Sequence, residues 1–142
     1  MVDITQKEST HRTAVAEAIV KVSSSVTIDA IKQGKVPKGD VFSMSRAAGF
    51  LGVKKTSDLL PDCHPLPVEH CTVDFEIIGL EIHIKVLVKT FYKTGVEVEA
   101  MHGTSIVALN MYDMLKPIDK EIEIHSIKLL KKTGGKSDIL RD

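Results

Sequence analysis

The chain has 142 residues, of which 43% are hydrophobic and 4% aromatic, so it can bury one core built mainly from aliphatic side chains. Its 19 basic residues balance its 19 acidic residues, which argues against nucleic acid as the main partner. Two cysteines, no secretory leader and no apolar run of about 20 residues predict a cytoplasmic protein that crosses no membrane. We expect one domain over 1–142, with residues 1–10 as a lead-in and 133–142 as a flexible tail.

The first half of the chain carries one strand signal and two helix signals. Residues 11–23 alternate between two faces, which predicts a strand. Residues 26–32 and 41–55 have apolar positions at helical spacing, and Asp40 can cap the start of the second of these helices. Three prolines lie within residues 56–67, which we therefore predict to be a rigid, non-helical loop.

The second half predicts a hairpin, a long helix and a last strand. Residues 68–78 and 80–91 alternate on either side of a glycine, as in a hairpin with one buried face. The stretch 93–116 enters on a turn and then runs without proline for about 18 residues, which predicts a helix. Residues 121–132 alternate again. The order β-α-α-β-β-α-β predicts an α+β fold, a four-stranded antiparallel sheet with helices packed on one face.

The long helix carries charges at both ends. Glu97 and Glu99 lie in its first turn, and Asp113 and Lys116 lie near its end, an arrangement that complements the helix dipole. Asp113 and Lys116 share a helix face and can touch. Glu99 and Asp113, however, lie roughly 21 Å apart along a helix axis, so they cannot hold the same reacting atom. Either a bound ligand is spread along the helix, or the two ends serve sites shared with a partner chain. We predict the second arrangement, a site between subunits.

Two familiar motifs can be set aside or left as minor alternatives. The segment Gly135–Ser137 resembles the end of a phosphate-binding loop, but Leu130 occupies the place of the required first glycine. The pairs Cys63–His64 and His70–Cys71 offer four soft ligands whose spacing matches no common zinc pattern. A zinc-binding structural domain is therefore only a third alternative.

Several lysines and one histidine have a context that favours function. Lys38, Lys116 and Lys136 lie beside glycines or at a helix end, where an ammonium group can meet phosphate oxygens. His64 lies inside the proline-rich loop, which can hold its side chain in place. From the residues alone, the alternative function is a non-catalytic nucleotide- or RNA-binding α+β module, although few aromatic side chains are available for base stacking.

Six segments, taken together and in chain order, resemble the cyclic pyranopterin monophosphate synthase family of molybdenum cofactor biosynthesis. The resemblance runs from Met1 to Ser137 and is specific only as a combination. The segments are Pro-Lys-Gly-Asp-Val-Phe at 37–42, Lys-Lys-Thr-Ser-Asp-Leu-Leu-Pro at 54–61, Cys-His-Pro-Leu at 63–66, Lys-Thr-Gly-Val-Glu-Val-Glu-Ala at 93–100, Tyr-Asp-Met-Leu-Lys at 112–116 and Leu-Lys-Lys-Thr-Gly-Gly-Lys-Ser-Asp at 130–138.

The resemblance implies a lyase that converts 3′,8-cyclo-7,8-dihydroguanosine 5′-triphosphate into cyclic pyranopterin monophosphate and pyrophosphate. It also implies a ferredoxin-like fold and a homohexamer built as a trimer of dimers, with pockets at the dimer interface. Acid–base groups and cations supply this chemistry without a redox cofactor, so we expect no cofactor beyond a possible magnesium ion on the triphosphate.

The resemblance also assigns roles to individual residues. Asp113 falls on the active-site acid of the family, and we expect Lys38 and Lys116 to act with it in catalysis. The expected substrate-binding residues include Lys136 from the glycine turn, and the full set is Arg12, Lys54, Asp62, Cys63, His64, Glu97, Val98, Glu99, Lys132 and Lys136. No residue is expected to bind a metal ion. Asp62 departs from the apolar residue that the family pattern has at this position.

Overall fold

Five strands form one antiparallel sheet in the computed structural model, which describes residues 1–141. Four helices accompany the sheet. In chain order the elements are β1 (Thr10–Lys21), α1 (Ser25–Lys32), α2 (Val41–Lys54), α3 (Thr56–Leu59), β2 (His70–Ile78), β3 (Glu81–Tyr92), α4 (Glu97–Leu115), β4 (Glu123–Thr133) and β5 (Ile139–Leu140).

The central strand β1 is fixed by its neighbours and by the helix above it. It pairs with β3 from Thr10 opposite Tyr92 to Lys21 opposite Glu81, and on its other side with β4. One face of β1 is lined by small, fully buried side chains, namely Ala14, Ala16 and Ala18. Alanine is a weak strand former, so tertiary packing holds this strand. α4 packs on this face, as predicted for helices on one side of the sheet.

The helices α2 and α4 approach each other closely at two glycines. A Cβ atom on Gly49 would collide with Val107 of α4, and a Cβ atom on Gly103 would collide with Val53 of α2. Both positions therefore need glycine for close packing rather than for an unusual backbone angle. This contact fixes α4, which carries charged residues of interest at both ends.

The predicted ferredoxin-like arrangement is confirmed, with one additional strand. The four predicted strands take the order β2-β3-β1-β4. The prediction that residues 133–142 form a flexible tail is wrong for Ile139 and Leu140, which pair with Lys132 and Lys131 of β4. Two residues are too few to show a periodicity in the sequence, so β5 is recognised only from its pairing with β4. Residue 142 of the predicted tail lies outside the described residues.

The prediction of a non-helical loop over residues 56–67 is wrong at its start. Residues 56–59 form the short helix α3. The hydroxyl group of Thr56 donates to the carbonyl groups of Gly52 and Val53, which turns the chain directly out of α2. Leu60 is extended, as expected for the residue before a proline, so Pro61 ends the helix after one turn.

Candidate active site

The charged residues of α4 lie at the two ends of one continuous helix. The helix spans Glu97–Leu115, which confirms the predicted long helix ahead of Pro117. At the usual rise per residue, Glu99 and Asp113 are separated by roughly 21 Å along the axis. One chain therefore presents two distinct groups of candidate residues rather than one site.

The first group surrounds a cavity of about 540 Å³ at the start of α4. Its walls come from three segments, residues 2–7, 60–66 and 94–99, and we call it the α4 N-terminal pocket. Six of the predicted substrate-binding residues line it, namely Asp62, Cys63, His64, Glu97, Val98 and Glu99. The structure thus brings together residues that lie more than 30 positions apart in the sequence.

A buried carboxyl group and a thiol meet in this pocket. The Cys63 Sγ donates to Glu99 Oε2 over 3.5 Å, and Glu99 is only 3% exposed. Burial raises the pKa of Glu99 above its usual value. Burial, together with the neighbouring Glu99, raises the pKa of Cys63 to about 11. The thiol is therefore a neutral hydrogen-bond donor at neutral pH rather than a nucleophile, and Glu99 is suited to hold and release a proton.

Glu97, the second carboxyl group of the pocket, has one oxygen in an ion pair and one without a hydrogen-bond partner among the described residues. Lys132 Nζ lies 3.1 Å from Glu97 Oε1, and both side chains are largely buried. Glu97 Oε2 is buried and accepts no hydrogen bond from any described residue. A buried acceptor of this kind is rare in folded proteins and suits an N–H donor supplied by a ligand.

Arg12 lies at the same end of the sheet as Lys132. It is 7% exposed, and its Nη2 donates to the Lys93 carbonyl oxygen over 3.3 Å. A side chain at Gly135 would collide with the guanidinium group, so Gly135 leaves room for Arg12. Lys136 follows Gly135 on the exposed turn after β4. The predicted residues Arg12, Lys132 and Lys136 therefore lie at the same end of the sheet.

The N-terminal segment is part of the pocket, which the prediction of a simple lead-in missed. Val2, Ile4 and Lys7 line the cavity. His64 Nε2 donates to the Val2 carbonyl oxygen over 2.6 Å. The Asp3 side chain accepts from the Thr5 backbone N–H over 2.9 Å, an Asx turn that the spacing of these two residues could have indicated.

The second group of candidate residues lies at the other end of α4. Asp113 is held between two lysines, with Lys116 Nζ 3.1 Å from Oδ1 and Lys38 Nζ 3.2 Å from Oδ2. Hydrogen bonds from Lys116 and Lys38 lower the pKa of Asp113 below its usual value. We call these three residues the Asp113 cluster. The predicted catalytic residues are thus brought together, on the surface of the chain.

A groove of about 460 Å³ borders the Asp113 cluster. Ile106, Leu109, Asn110 and Tyr112 line it beside Asp113 and Lys116. Leu109 is 56% exposed, although it is a large hydrophobic residue. The cluster therefore lies at the edge of an apolar surface rather than in open solvent on all sides.

Lys54 is the predicted site residue that joins neither group. It is exposed at the end of α2, does not line the α4 N-terminal pocket and makes no contact with Asp113 among the described residues. Its charge acts on Cys71: burial raises the pKa of this thiol to about 11, and the positive charge of Lys54 opposes that rise. The structure does not place Lys54 with Lys38 and Lys116 in one chain.

The described residues form neither a metal-binding cluster nor a membrane-spanning helix. Within residues 1–141, no group of three or more histidine, cysteine, aspartate or glutamate side chains could hold a metal ion. The zinc alternative therefore has no ligand set in the described part of the chain. None of the described helices is long and apolar enough to cross a membrane.

A small α+β domain with buried carboxyl groups, a paired aspartate and several lysines is typical of an enzyme that moves protons on an anionic substrate. Comparison with known proteins defines the particular family. The chain belongs to the MoaC family, whose model matches residues 1–135. The family resemblance predicted from the sequence is thereby confirmed.

Curated relatives cover nearly the whole chain. A protein of Clostridium perfringens (strain 13 / Type A) is 48% identical over 139 residues, which cover 96% of this chain and 87% of the relative. A protein of Corynebacterium glutamicum (strain R) is 48% identical over 137 residues, with the same shares covered. A protein of Deinococcus radiodurans is 48% identical over 137 residues, which cover 96% of this chain and 81% of the relative. Each relative is named cyclic pyranopterin monophosphate synthase.

Proposed function

We propose that this protein is a lyase of molybdenum cofactor biosynthesis that converts 3′,8-cyclo-7,8-dihydroguanosine 5′-triphosphate into cyclic pyranopterin monophosphate and pyrophosphate. Its relatives carry the name of this activity over nearly the whole chain. The geometric observation that carries the proposal is Asp113, an ionised acid held by two lysines in a chain of the MoaC family. The alternative of an RNA-binding module receives no support from these comparisons.

The reaction needs proton transfers and charge compensation. Rebuilding a purine into a pterin requires ring opening, addition of water at an imine-like carbon and ring closure, each with protons moved at defined atoms. A ribose oxygen then attacks the α-phosphorus, its proton passes to a base, and pyrophosphate leaves with the electrons of the broken P–O bond. Asp113 would act as the base or proton carrier, while Lys38 and Lys116 would stabilise the developing negative charge.

The α4 N-terminal pocket would bind the guanine-derived ring. Its carboxyl groups suit the N–H donors of such a ring, and Glu97 Oε2 has no donor from the described residues. Glu99 and the neutral thiol of Cys63 would exchange a proton or hydrogen bond with the ring. Arg12 and Lys136 lie at the same end and would compensate phosphate charge, while Lys132 holds Glu97 in place. Asp62 and His64 complete this wall of the pocket.

A second copy of the chain would complete the site. The Asp113 cluster and the α4 N-terminal pocket are too far apart on one helix to act on the same atom, so the Asp113 cluster would come from a partner subunit. The apolar groove beside Asp113 suits burial against such a partner. We therefore propose a homo-oligomer with sites between subunits, assembled as a hexamer from three dimers. Lys54, which joins neither group in one chain, would also reach the site in this assembly.

The proposal assigns no resident cofactor to the chain. A magnesium ion that accompanies the triphosphate would be held mainly by phosphate oxygens. We further propose that the protein works in the cytoplasm. Cys63 and Cys71 are both free thiols, as is usual in a reducing compartment.

The proposal is tested by supplying the cyclised guanosine triphosphate and measuring pyrophosphate release. Wild-type protein should release pyrophosphate, and Asp113→Asn and Lys116→Ala should each lose about 10²–10⁴-fold in kcat. The control Asp29→Asn removes an exposed carboxylate from α1 and should leave the rate unchanged. Failure of the wild type to release pyrophosphate would refute the function, and full activity in both site variants would refute the site.

A further inference from the structure

We propose that Lys7 contacts the phosphate groups of the substrate and that residues 2–7 form a wall of the site that holds this lysine in position. The inference rests on the function proposed above and adds a residue that neither the sequence motifs nor the Asp113 cluster includes. Lys7 lines the α4 N-terminal pocket together with residues of the segments 60–66 and 94–99.

The segment is attached to both of the other walls. On one side, His64 donates to the Val2 carbonyl oxygen over 2.6 Å. On the other side, Lys93 Nζ donates to the Thr5 carbonyl oxygen over 3.4 Å. Residues 2–7 therefore lie across the pocket and contact the proline-rich loop and the turn before α4.

A local turn orders the backbone that carries Lys7. Asp3 Oδ1 accepts hydrogen bonds from the Thr5 N–H over 2.9 Å and from the Thr5 hydroxyl group over 2.7 Å. These two bonds lower the pKa of Asp3, so its side chain remains a charged acceptor. The Lys7 N–H then donates to the Ile4 carbonyl oxygen over 3.1 Å. The backbone at Lys7 is thus ordered by its own segment before any ligand binds.

The charges of the pocket explain why this lysine is needed. The lining residues include three carboxyl groups, those of Asp62, Glu97 and Glu99, and a single lysine, Lys7. The nearby Lys132 is occupied by Glu97. Among the described residues, no hydrogen bond or ion pair to the Lys7 ammonium group is present. A triphosphate needs cations, but Lys132 is paired with Glu97 and the N-terminal ammonium group of Met1 is paired with Asp62. Lys7 is therefore the lysine of the lining that is free to meet a phosphate group.

The kinetic test compares Lys7→Ala with Lys7→Arg and with a matched control. Lys7→Ala should raise KM about tenfold and change kcat less than about twofold, because a charge-assisted hydrogen bond to substrate is lost. Lys7→Arg keeps the positive charge and should retain most of the affinity. The control Lys32→Ala removes an exposed ammonium group from α1, beyond the opposite end of β1, and should leave KM unchanged. A KM in Lys7→Ala equal to that of an active wild type would overturn the assignment.

A binding test separates contact with phosphate from contact with the ring. The Asp113→Asn variant, with and without Lys7→Ala, is titrated with the cyclised guanosine triphosphate and with the same cyclised nucleoside lacking phosphates. Loss of affinity for the triphosphate alone is expected. Equal loss for both ligands would place Lys7 against the ring and overturn the proposal.

The role of the segment is tested with Lys7 left intact. Asp3→Ala removes the acceptor of both Thr5 hydrogen bonds and should raise KM in the same direction as Lys7→Ala, by a smaller factor. An unchanged KM would show that the turn does not position Lys7. An inactive wild type would instead refute the proposed function, so the two failures can be told apart.

Discussion

Lys38 and Asp113 are separated by 75 residues in the sequence, yet the Lys38 ammonium group lies 3.2 Å from the Asp113 side chain and 2.9 Å from its backbone carbonyl oxygen. The carbonyl group belongs to the last turn of α4, where acceptors lack partners within the helix. The lysine therefore ties the loop before α2 to the end of α4. A loop lysine and a helical acid thus form one unit with Lys116.

The pKa of Asp113 should depend on this unit. Hydrogen bonds from Lys116 and Lys38 hold the pKa of Asp113 below its usual value, so Lys116→Ala or Lys38→Ala should raise it. Titration of the Asp113 carboxyl carbon by NMR measures the shift directly. Lys32→Ala is the control and should leave the titration unchanged. An Asp113 titration that is the same in all four proteins would contradict the electrostatic role of the two lysines.

The two cysteines should be unreactive at neutral pH. Burial raises the pKa of both Cys63 and Cys71 to about 11, and the adjacent Glu99 contributes at Cys63. Alkylation by iodoacetamide, followed by mass spectrometry, should be slow at pH near 7.5 and should increase toward pH 11 for each thiol. In Glu99→Gln, Cys63 should react faster while Cys71 is unaffected. Rapid labelling of wild-type Cys63 at neutral pH would show that its thiol is not held neutral.

Glu99 should reduce the stability of the folded protein as the pH rises. Burial raises the pKa of Glu99 in the folded state above its value in the unfolded state. The contribution of Glu99 to the free energy of unfolding therefore falls as the pH rises from the unfolded-state pKa to the folded-state pKa, and it changes no further above that. Glu99→Gln should therefore have a higher Tm than wild type at pH 7, and the difference should vanish at acid pH. The exposed control Glu76→Gln should show no such trend. A lower Tm for Glu99→Gln at pH 7 would contradict this expectation.

The contact between α2 and α4 should not tolerate an added methyl group. Gly103→Ala places a Cβ atom against Val53, so it should destabilise the fold by about 1–2 kcal/mol after the helix propensity of alanine is counted. Denaturant unfolding measures the loss. Because the clash is with one side chain, the double variant Gly103→Ala, Val53→Ala should be less destabilised than the sum of the single variants. If the two losses of stability simply add, the cost of Gly103→Ala does not come from its contact with Val53.

Strong local signals allowed most of the fold to be predicted from the sequence. The alternation in residues 11–23 and 80–91, the cap at Asp40 and the stop at Pro117 correspond closely to β1, β3, α2 and α4. The elements that were missed, α3 and β5, have four and two residues and show no periodicity of their own. They depend on particular hydrogen bonds instead: α3 on the local bonds from Thr56 to the carbonyl groups of Gly52 and Val53, and β5 on pairing with β4.

Only part of the candidate site was predicted, because some of its residues are positioned by long-range contacts. Cys63 and Glu99 were both predicted to bind substrate, and the structure brings their side chains within 3.5 Å of each other. The separation of Glu99 from Asp113 also followed from helix length. The wall formed by residues 2–7 was missed because its place depends on two long-range contacts, His64 to Val2 and Lys93 to Thr5. Short polar segments carry no periodic signal that reveals such contacts.

The most direct test of a site shared between subunits is complementation between two inactive variants. Asp113→Asn removes the acid of the Asp113 cluster, and Glu99→Gln alters the α4 N-terminal pocket, so each protein alone should be nearly inactive. If each site combines the two ends of α4 from different chains, a mixed dimer holds one intact site, and equal co-expression should restore pyrophosphate release to about a quarter of the wild-type rate. Co-expressed variants that remain as inactive as either one alone would contradict the inter-subunit site.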